Sequence, residues 1–176
     1  MRIIGGRHRG RRLRFPSEAG LRPTPDRVRE TLFNWLGQDL SGLACLDLFA
    51  GSGALGLEAA SRGASRVTLV ERSRAACAAL AAAVATLGEA GVRVVQADAL
   101  EFAARSGERY DVVFIDPPYG SGLVPKALAA IAPRLAPGAR VYVESDAPFA
   151  GDARWRVVKH GRAGAVHFHL VERAEA

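Results

Sequence analysis

From residue 43 onward the chain alternates short apolar runs with stretches whose apolar positions recur every three or four residues. The runs read as strands at 43–49, 66–71, 92–96, 110–116 and 139–145, and the stretches between them as helices at 53–61, 74–87, 100–105 and 124–135. Most of the runs are continuous, as in Val112-Val113-Phe114-Ile115, which suits strands covered on both faces. The pattern therefore predicts a largely parallel sheet with crossover helices. Two more runs, 155–160 and 166–171, flank Gly161-Arg162-Ala163-Gly164, a gap that suits a hairpin. They would close the sheet with an antiparallel pair. Ahead of the sheet, Val28, Leu32, Trp35 and Leu36 fall at helical spacing, with Phe33 beside them. Thr24 is placed to cap that helix with Pro25 in its first position, and the helix should end near Gly37. Phe33 and Trp35 read as its packing residues. At the start of the chain, Arg2-Ile3-Ile4 and Arg11-Arg12-Leu13-Arg14-Phe15 flank a glycine-rich segment, which predicts a short basic β-hairpin. Residues 16–23 read as a linker.

With 176 residues, one folded domain is expected. The division is an extension over residues 1–20 and a globular domain over 21–176. Charge sharpens that division. Residues 1–30 hold nine arginines against three acids, whereas residues 31–176 hold fifteen basic and fifteen acidic side chains. The whole net charge of +6 thus sits at the front of the chain. A neutral body with a basic arm suits a polyanionic partner. Cys45 and Cys77 have neither C-x-x-C spacing nor histidine neighbours and read as small buried hydrophobes in a reducing compartment. No apolar stretch is long enough for a membrane span or a leader, so a cytoplasmic monomer with no membrane association is expected.

The glycine pattern Gly51-Ser52-Gly53-Ala54-Leu55-Gly56 lies between a strand and a helix. Alone it also fits NAD and FAD enzymes. Asp47 changes the picture, because a carboxylate there repels a pyrophosphate and accepts an ammonium, as S-adenosyl-L-methionine would require. Glu71 ends the second strand, where an acid can accept both ribose hydroxyls. Asp98-Ala99 follows the third, where an adenine edge would lie. Phe49, Ser52 and Arg72 complete the candidate cofactor set on the same loops. Either Glu71 or Asp98 alone would pass for an exposed helix cap. Three acids at the ends of three successive strands converge on one crevice and favour the ligand.

Asp116-Pro117-Pro118-Tyr119 ends the fourth strand. The Asp116 carboxylate and the Pro117 carbonyl can both accept hydrogen bonds from an exocyclic amine. Such an amine is a poor nucleophile because its lone pair is delocalised into the ring, so two aligned acceptors would aim that pair at a methyl group. Pro117 and Pro118 fix φ and hold the carbonyls in place, while Tyr119 can stack on the base. Methyl transfer to a base nitrogen, driven mainly by positioning, is the chemistry this set predicts.

Arg7, Arg9, Arg11, Arg12 and Arg14 form the candidate RNA-binding set, interleaved with Ile3, Ile4, Leu13 and Phe15. About five phosphate contacts would give a log–log salt dependence of roughly −3 to −5. The chain has no large second domain to flip a base from a duplex, so an exposed base in structured RNA is the expected acceptor. His160, His167 and His169 read as surface groups of an edge hairpin. No third ligand accompanies His167 and His169, so no metal is expected.

On these residues the chain resembles the RsmD family, bacterial enzymes that methylate N2 of a guanine in 16S rRNA. The resemblance rests on Arg2-Ile3-Ile4-Gly5-Gly6 with Arg9-Gly10-Arg11, and on Leu21-Arg22-Pro23-Thr24 with the segment from Asp26 through Leu36. It continues in Phe49-Ala50-Gly51-Ser52-Gly53-Ala54-Leu55-Gly56-Leu57-Glu58-Ala59, in Asp116-Pro117-Pro118-Tyr119 and in Val143-Glu144-Ser145. It implies a Rossmann-like methyltransferase fold of α/β class, mostly parallel and seven-stranded. It further implies S-adenosyl-L-methionine as donor, no metal, and 16S rRNA within the small ribosomal subunit or an assembly intermediate as partner. It also implies that Arg22-Pro23-Thr24 lies near the cofactor, which makes Thr24 a cofactor-site candidate. The chain departs from the family pattern at Gly120-Ser121-Gly122, which carries no basic or aromatic residue, and at the polar His167-Phe168-His169. The rival readings are a DNA adenine-N6 or cytosine-N4 methyltransferase, a non-catalytic RNA-binding assembly factor, and an NAD-dependent oxidoreductase.

Overall fold

The computed structural model describes residues 1–16 and 24–175. Residues 17–23 of the expected linker over 16–23, the boundary at residue 20 and the Leu21-Arg22-Pro23 block lie outside the described residues. Seven strands form one sheet: β1 (Ala44–Asp47), β2 (Arg66–Glu71), β3 (Val92–Gln96), β4 (Tyr110–Ile115), β5 (Leu135–Ser145), β6 (Trp155–Ala163) and β7 (Val166–Arg173). Their spatial order is β3-β2-β1-β4-β5-β7-β6. Neighbours among the first five pair in parallel, while β7 runs antiparallel to both β5 and β6. The sheet is the largely parallel one, closed by an antiparallel pair, that the apolar runs predict, and its seven strands match the Rossmann-like fold that the family resemblance implies.

The sheet separates two cores. On one face lie α1 (Asp26–Leu36), α2 (Ala54–Ser61) and α3 (Arg74–Leu87), over Cys45, Val67, Leu69, Val112, Phe114 and Tyr142. On the other lie α4 (Ala99–Arg105) and α5 (Val124–Ile131), over Leu46, Val70, Val113, Ile115 and Val143. Side-chain alternation along each strand decides which residues join which core. Every residue of α2 is buried, which explains its apolar and small composition around the single acid Glu58. Phe33 tilts against Phe114 at 6.0 Å between ring centroids, and Trp35 stacks on Phe168 at 5.3 Å, so both pack.

Several expected boundaries move. The helix expected to run to 135 stops at Ile131, and a 3₁₀ turn over Ala132–Arg134 follows. Pro133 lacks the N–H that another α-helical turn needs. β5 then begins at Leu135, which pairs with Tyr110 ahead of a register shift. The terminal hairpin turns later than its glycines suggested. Ala163 pairs with Val166, leaving Gly164-Ala165 as the two-residue loop. Thr24 does not cap α1. Pro25 takes the cap position with no side-chain hydrogen bond, and Asp26 starts the helix. The histidine expectation is also corrected. β7 is interior to the sheet, and His169 is buried, its Nδ1 beside the Val143 carbonyl and its Nε2 accepting from the Phe149 N–H.

The N-terminal arm is a hairpin by its hydrogen bonds, with a single Arg2↔Arg12 bridge in place of two full strands. The Ile3 N–H donates to the Arg11 carbonyl at 2.9 Å and the Leu13 N–H to the Met1 carbonyl at 2.9 Å. Ile3 and Leu13 are buried in the α1–α3 core. The arm's tip closes on the C-terminal end of α2. There the Arg7 N–H donates to the Ser61 carbonyl at 2.9 Å and the Ser61 hydroxyl to the Gly5 carbonyl at 2.6 Å. A Cβ at Gly6 would lie 1.9 Å from the Ser61 carbonyl oxygen, so that position admits only glycine.

Beneath the arm lies Glu58, fully buried and held on all sides. Its carboxylate accepts from the Ile4 and Gly5 N–H groups at 2.9 Å each, from Arg29 Nη1 at 3.2 Å and from Arg62 Nε at 3.0 Å. Arg29, itself only 2% exposed, also donates to the Arg2 and Thr24 carbonyls and pairs with Asp26. One buried ion cluster thus ties the arm, α1 and α2 together.

Candidate active site

The C-terminal edge of the parallel strands carries the candidate site, as expected for this topology. In β1, Cys45 and Asp47 face the α1–α3 side. In β4 the corresponding pair is Phe114 and Asp116, and in β5 it is Tyr142 and Glu144. Asp47 pairs with Phe114 and Phe114 with Tyr142 in register. The next residue of the same parity on β4 is Asp116, and on β5 it is Glu144. Three adjacent strands therefore end their α1-facing rows in a carboxylate.

Each carboxylate has few partners. Asp47 is 1% exposed, and its Oδ2 accepts from the Gly56 N–H at 2.9 Å. Its Oδ1 is buried with no hydrogen-bond partner. Burial pushes the Asp47 carboxyl up to about 7, the Gly56 hydrogen bond opposes this, and the charge of Glu71 adds to it. Asp116 is half-buried with its carboxyl lying deep, and the Thr24 hydroxyl donates to it over a long 3.5 Å. Burial first, then the charges of Glu144 and Asp47, hold the Asp116 carboxyl well above the usual carboxylate range. Burial also raises Glu144, which accepts from the Tyr142 hydroxyl at 3.1 Å. Burial, then the charges of Glu144 and Asp116, hold that phenol well above its ordinary value. Among the described residues, no arginine, lysine or histidine pairs with any of the three carboxylates.

The glycine loop lies directly over Asp47. Gly51 and Gly53 hold positive φ, and Gly53 opens α2. A Cβ at Gly56 would come within 2.2 Å of Leu69 and 3.2 Å of the Asp47 carboxylate, so glycine there lets α2 descend onto β1. The Gly51 N–H donates to Glu71 Oε1 at 3.1 Å, and the Ser73 N–H donates to Glu71 Oε2 at 2.5 Å. Asp98 is exposed and caps α4 through the Glu101 N–H at 3.0 Å. Phe49 and Ser52 are half-buried, Ala99 is buried and Arg72 is exposed. These residues fit a nucleoside cofactor bearing an ammonium. The orphaned, buried Oδ1 of Asp47 is an acceptor awaiting a donor, and a cationic one best offsets its burial. No group of histidine, cysteine and acidic residues able to hold a metal occurs among the described residues. Cys45 and Cys77 are free and buried.

On the acceptor side, Pro117 is half-buried and Pro118 exposed, and Tyr119 is 75% exposed. An aromatic side chain left this far in solvent at a strand end is available to stack. Thr24, which the family resemblance placed near the cofactor, lies beside Asp116, to which its hydroxyl donates over 3.5 Å.

The arm residues divide. Arg7 pairs with Glu89 through two contacts, Nε to Oε1 at 2.8 Å and Nη2 to Oε2 at 2.6 Å, and His8 joins the same carboxylate at 2.6 Å. Arg9, Arg11, Arg12 and Arg14 are exposed, with Arg11 Nη2 reaching the Thr86 carbonyl at 3.4 Å. Sequence reasoning gave no role to Tyr142, nor to Glu144, which it quoted only within the Val143-Glu144-Ser145 block. Their signal was parity: Glu144 stands two residues beyond a buried tyrosine on the strand next to Asp116. It also missed the anchoring role of Glu58.

Three comparisons with known proteins give one consistent family. The family described as Conserved hypothetical protein 95 matches residues 1–172. The Ribosomal RNA small subunit methyltransferase D of Escherichia coli strain K12 is 45% identical, over 98% of this chain and 90% of that protein. The protein of the same name from Haemophilus influenzae is 38% identical, over 98% and 93% respectively. The solved structure of the Escherichia coli protein yhhF superposes with a TM-score of 0.89 at 46% identity, covering 98% of this chain and 97% of that one.

Proposed function

This chain belongs to the Conserved hypothetical protein 95 family, the RsmD family, and from that premise we propose that it methylates the exocyclic N2 of a guanine in 16S rRNA. The observation that carries the reading is the row of carboxylates without a cationic partner among the described residues, Asp47, Asp116 and Glu144, with the Gly51–Gly56 loop over its Asp47 end. Such a row is costly to bury unless ligands complete it. Asp47, Glu71 and Asp98, with Phe49, Gly51, Ser52, Gly53, Arg72, Ala99 and Thr24, form the proposed surroundings of the donor. S-adenosyl-L-methionine, when bound, supplies an electrophilic methyl group on a sulfonium.

The rest of the chemistry belongs to this chain's residues. Asp116 and the Pro117 carbonyl accept the two N–H bonds of the acceptor amine and so orient its lone pair. Pro118 holds that carbonyl's direction, and Tyr119 stacks on the base. Once the new C–N bond has formed, the surplus amine proton passes to the Asp116 carboxylate. Arg9, Arg11, Arg12 and Arg14 contact phosphates, whereas Arg7 docks the arm through Glu89. The substrate is 16S rRNA in the small subunit or an assembly intermediate, and the enzyme acts as a cytoplasmic monomer.

The test is transfer of a tritiated methyl group to three acceptors, followed by nucleoside analysis: small subunits lacking the modification, naked 16S rRNA and duplex DNA. N2-methylguanosine from the subunits is the expected product. Label in DNA, or in another base, would overturn the substrate assignment. No label anywhere despite cofactor binding would favour an assembly factor.

A further inference from the structure

Tyr142 and Glu144 have no role in the mechanism above, yet they are the groups most intimately joined to Asp116. Phe114 pairs with Tyr142 on the neighbouring parallel strand, so Asp116 and Glu144, each two residues further on, lie side by side. Two carboxyls held together away from water repel each other when both are ionised, and they can bond to each other only with a proton between them, since ionised carboxylates have acceptors and no donor. The Tyr142 hydroxyl, two residues earlier on the same strand, donates to Glu144 Oε2 at 3.1 Å and fixes the orientation of that carboxyl. Thr24 donates to the Asp116 Oδ2 from the α1 side. The titratable groups that face Asp116 are Asp47 from β1 and Glu144 and Tyr142 from β5. All are acids. Nothing described in the structure brings a positive charge to the cluster.

We propose that Glu144 is a positioning residue that shares one proton with Asp116 in the empty site, and that a cationic sulfonium bound above them expels that proton. This rests on the proposed function, because it takes S-adenosyl-L-methionine as the donor. Loss of the carboxyl O–H proton to solvent leaves Asp116 ionised as the acceptor amine arrives. When the sulfur–methyl bond breaks, its electron pair stays on sulfur. The amine lone pair forms the C–N bond, and the surplus N–H proton returns to the vacated carboxylate. The pair thus starts and ends the cycle holding one proton. A positive charge near like-charged acids favours their ionised forms, so the direction of the exchange follows from elementary electrostatics.

The experiment is calorimetric titration of the protein with S-adenosyl-L-methionine and, separately, with S-adenosyl-L-homocysteine. Each is run in buffers of different ionisation enthalpy, so that the protons exchanged can be counted. Both ligands carry the same ammonium, so any contribution from Asp47 is common to the two. They differ in the sulfonium charge. The expected result is greater proton release with the sulfonium ligand near neutral pH, by a sizeable fraction of one proton. Its affinity relative to the thioether should then rise with pH, by up to about tenfold per unit for a full proton. In Glu144→Gln the amide can donate to an already ionised Asp116, so the excess release should vanish while both ligands still bind. In Tyr142→Phe, Glu144 loses its donor, and the window of excess release should move to higher pH. Equal release by the two ligands in the parent protein would overturn the inference and leave the methyltransferase reading standing. So would an excess unchanged in both variants. Failure of either ligand to bind would overturn both.

Discussion

Two buried acidic centres lie on the same face of the sheet, and they are built on opposite rules. Glu58 is surrounded by compensation: two guanidinium groups and two backbone N–H groups converge on one carboxylate. Asp47, Asp116 and Glu144 have one backbone donor, one threonine hydroxyl and one phenol among them. The first centre is complete without a ligand and holds elements together. The second is left electrostatically unfinished, and burial raises all three of its carboxyls. Adjacent acids with the same side-chain chemistry thus separate into structural and functional by their partners alone.

That contrast can be broken from either side. Glu58→Ala would strand Arg29 and Arg62 in the core, and should cost about 3–5 kcal/mol in a urea denaturation experiment. A loss below about 1 kcal/mol would show that the cluster is not the tie between arm, α1 and α2. Asp116→Ala should leave stability near that of the parent but cut methyl transfer by roughly 10³-fold, about 4 kcal/mol of barrier. Cofactor affinity, measured by calorimetry, should change little. Full activity in that variant would remove Asp116 from the mechanism.

Asp47 separates the two rules most directly. Its carboxyl titrates at about 7 in the fold, against roughly 3.9 in an unfolded chain. The folded state therefore binds the proton more tightly, and the charge penalty grows as pH rises from about 4 to about 7. Asp47→Asn should raise stability by roughly 2–4 kcal/mol at pH 8 and much less at pH 4, while weakening cofactor binding. A variant less stable at pH 8 would mean that Asp47 supports the fold. The smallest effect belongs to the arm. Arg11→Ala with Arg12→Ala should reduce RNA affinity about tenfold at moderate salt and flatten the salt slope by about 2, with cofactor affinity unchanged. Affinity that ignores this pair would leave phosphate binding to other residues.

Much of this was legible in the chain, and the parts that were not have identifiable causes. Continuous apolar runs marked five parallel strands because burial on both faces leaves no room for polar alternation. The boundaries of β2, β3 and α3 fall where the runs put them. The end of α5 did not, because Pro133 and the pairing of Leu135 with Tyr110 compete for residues that a helical pattern also fits. The carboxylates of Asp47 and Asp116 stood out because each sits beside a recognisable motif. Glu144 lies in the Val143-Glu144-Ser145 block, which by itself suggests no chemistry, and its place in the site becomes visible only once β5 is known to lie next to β4. Glu58 reads as an ordinary helix acid, since its partners come from residues 4, 5, 29 and 62. Arg7 belonged by composition to the arginine set, and only the position of Glu89 distinguishes it.

The docking of the arm also has a temporal meaning. Ile4 and Gly5 bond to a residue more than fifty positions downstream, and Arg7 and His8 to one more than eighty downstream. On a ribosome the arm is made well before Glu58 and Glu89, so the contacts that dock it close only after both of those residues have followed.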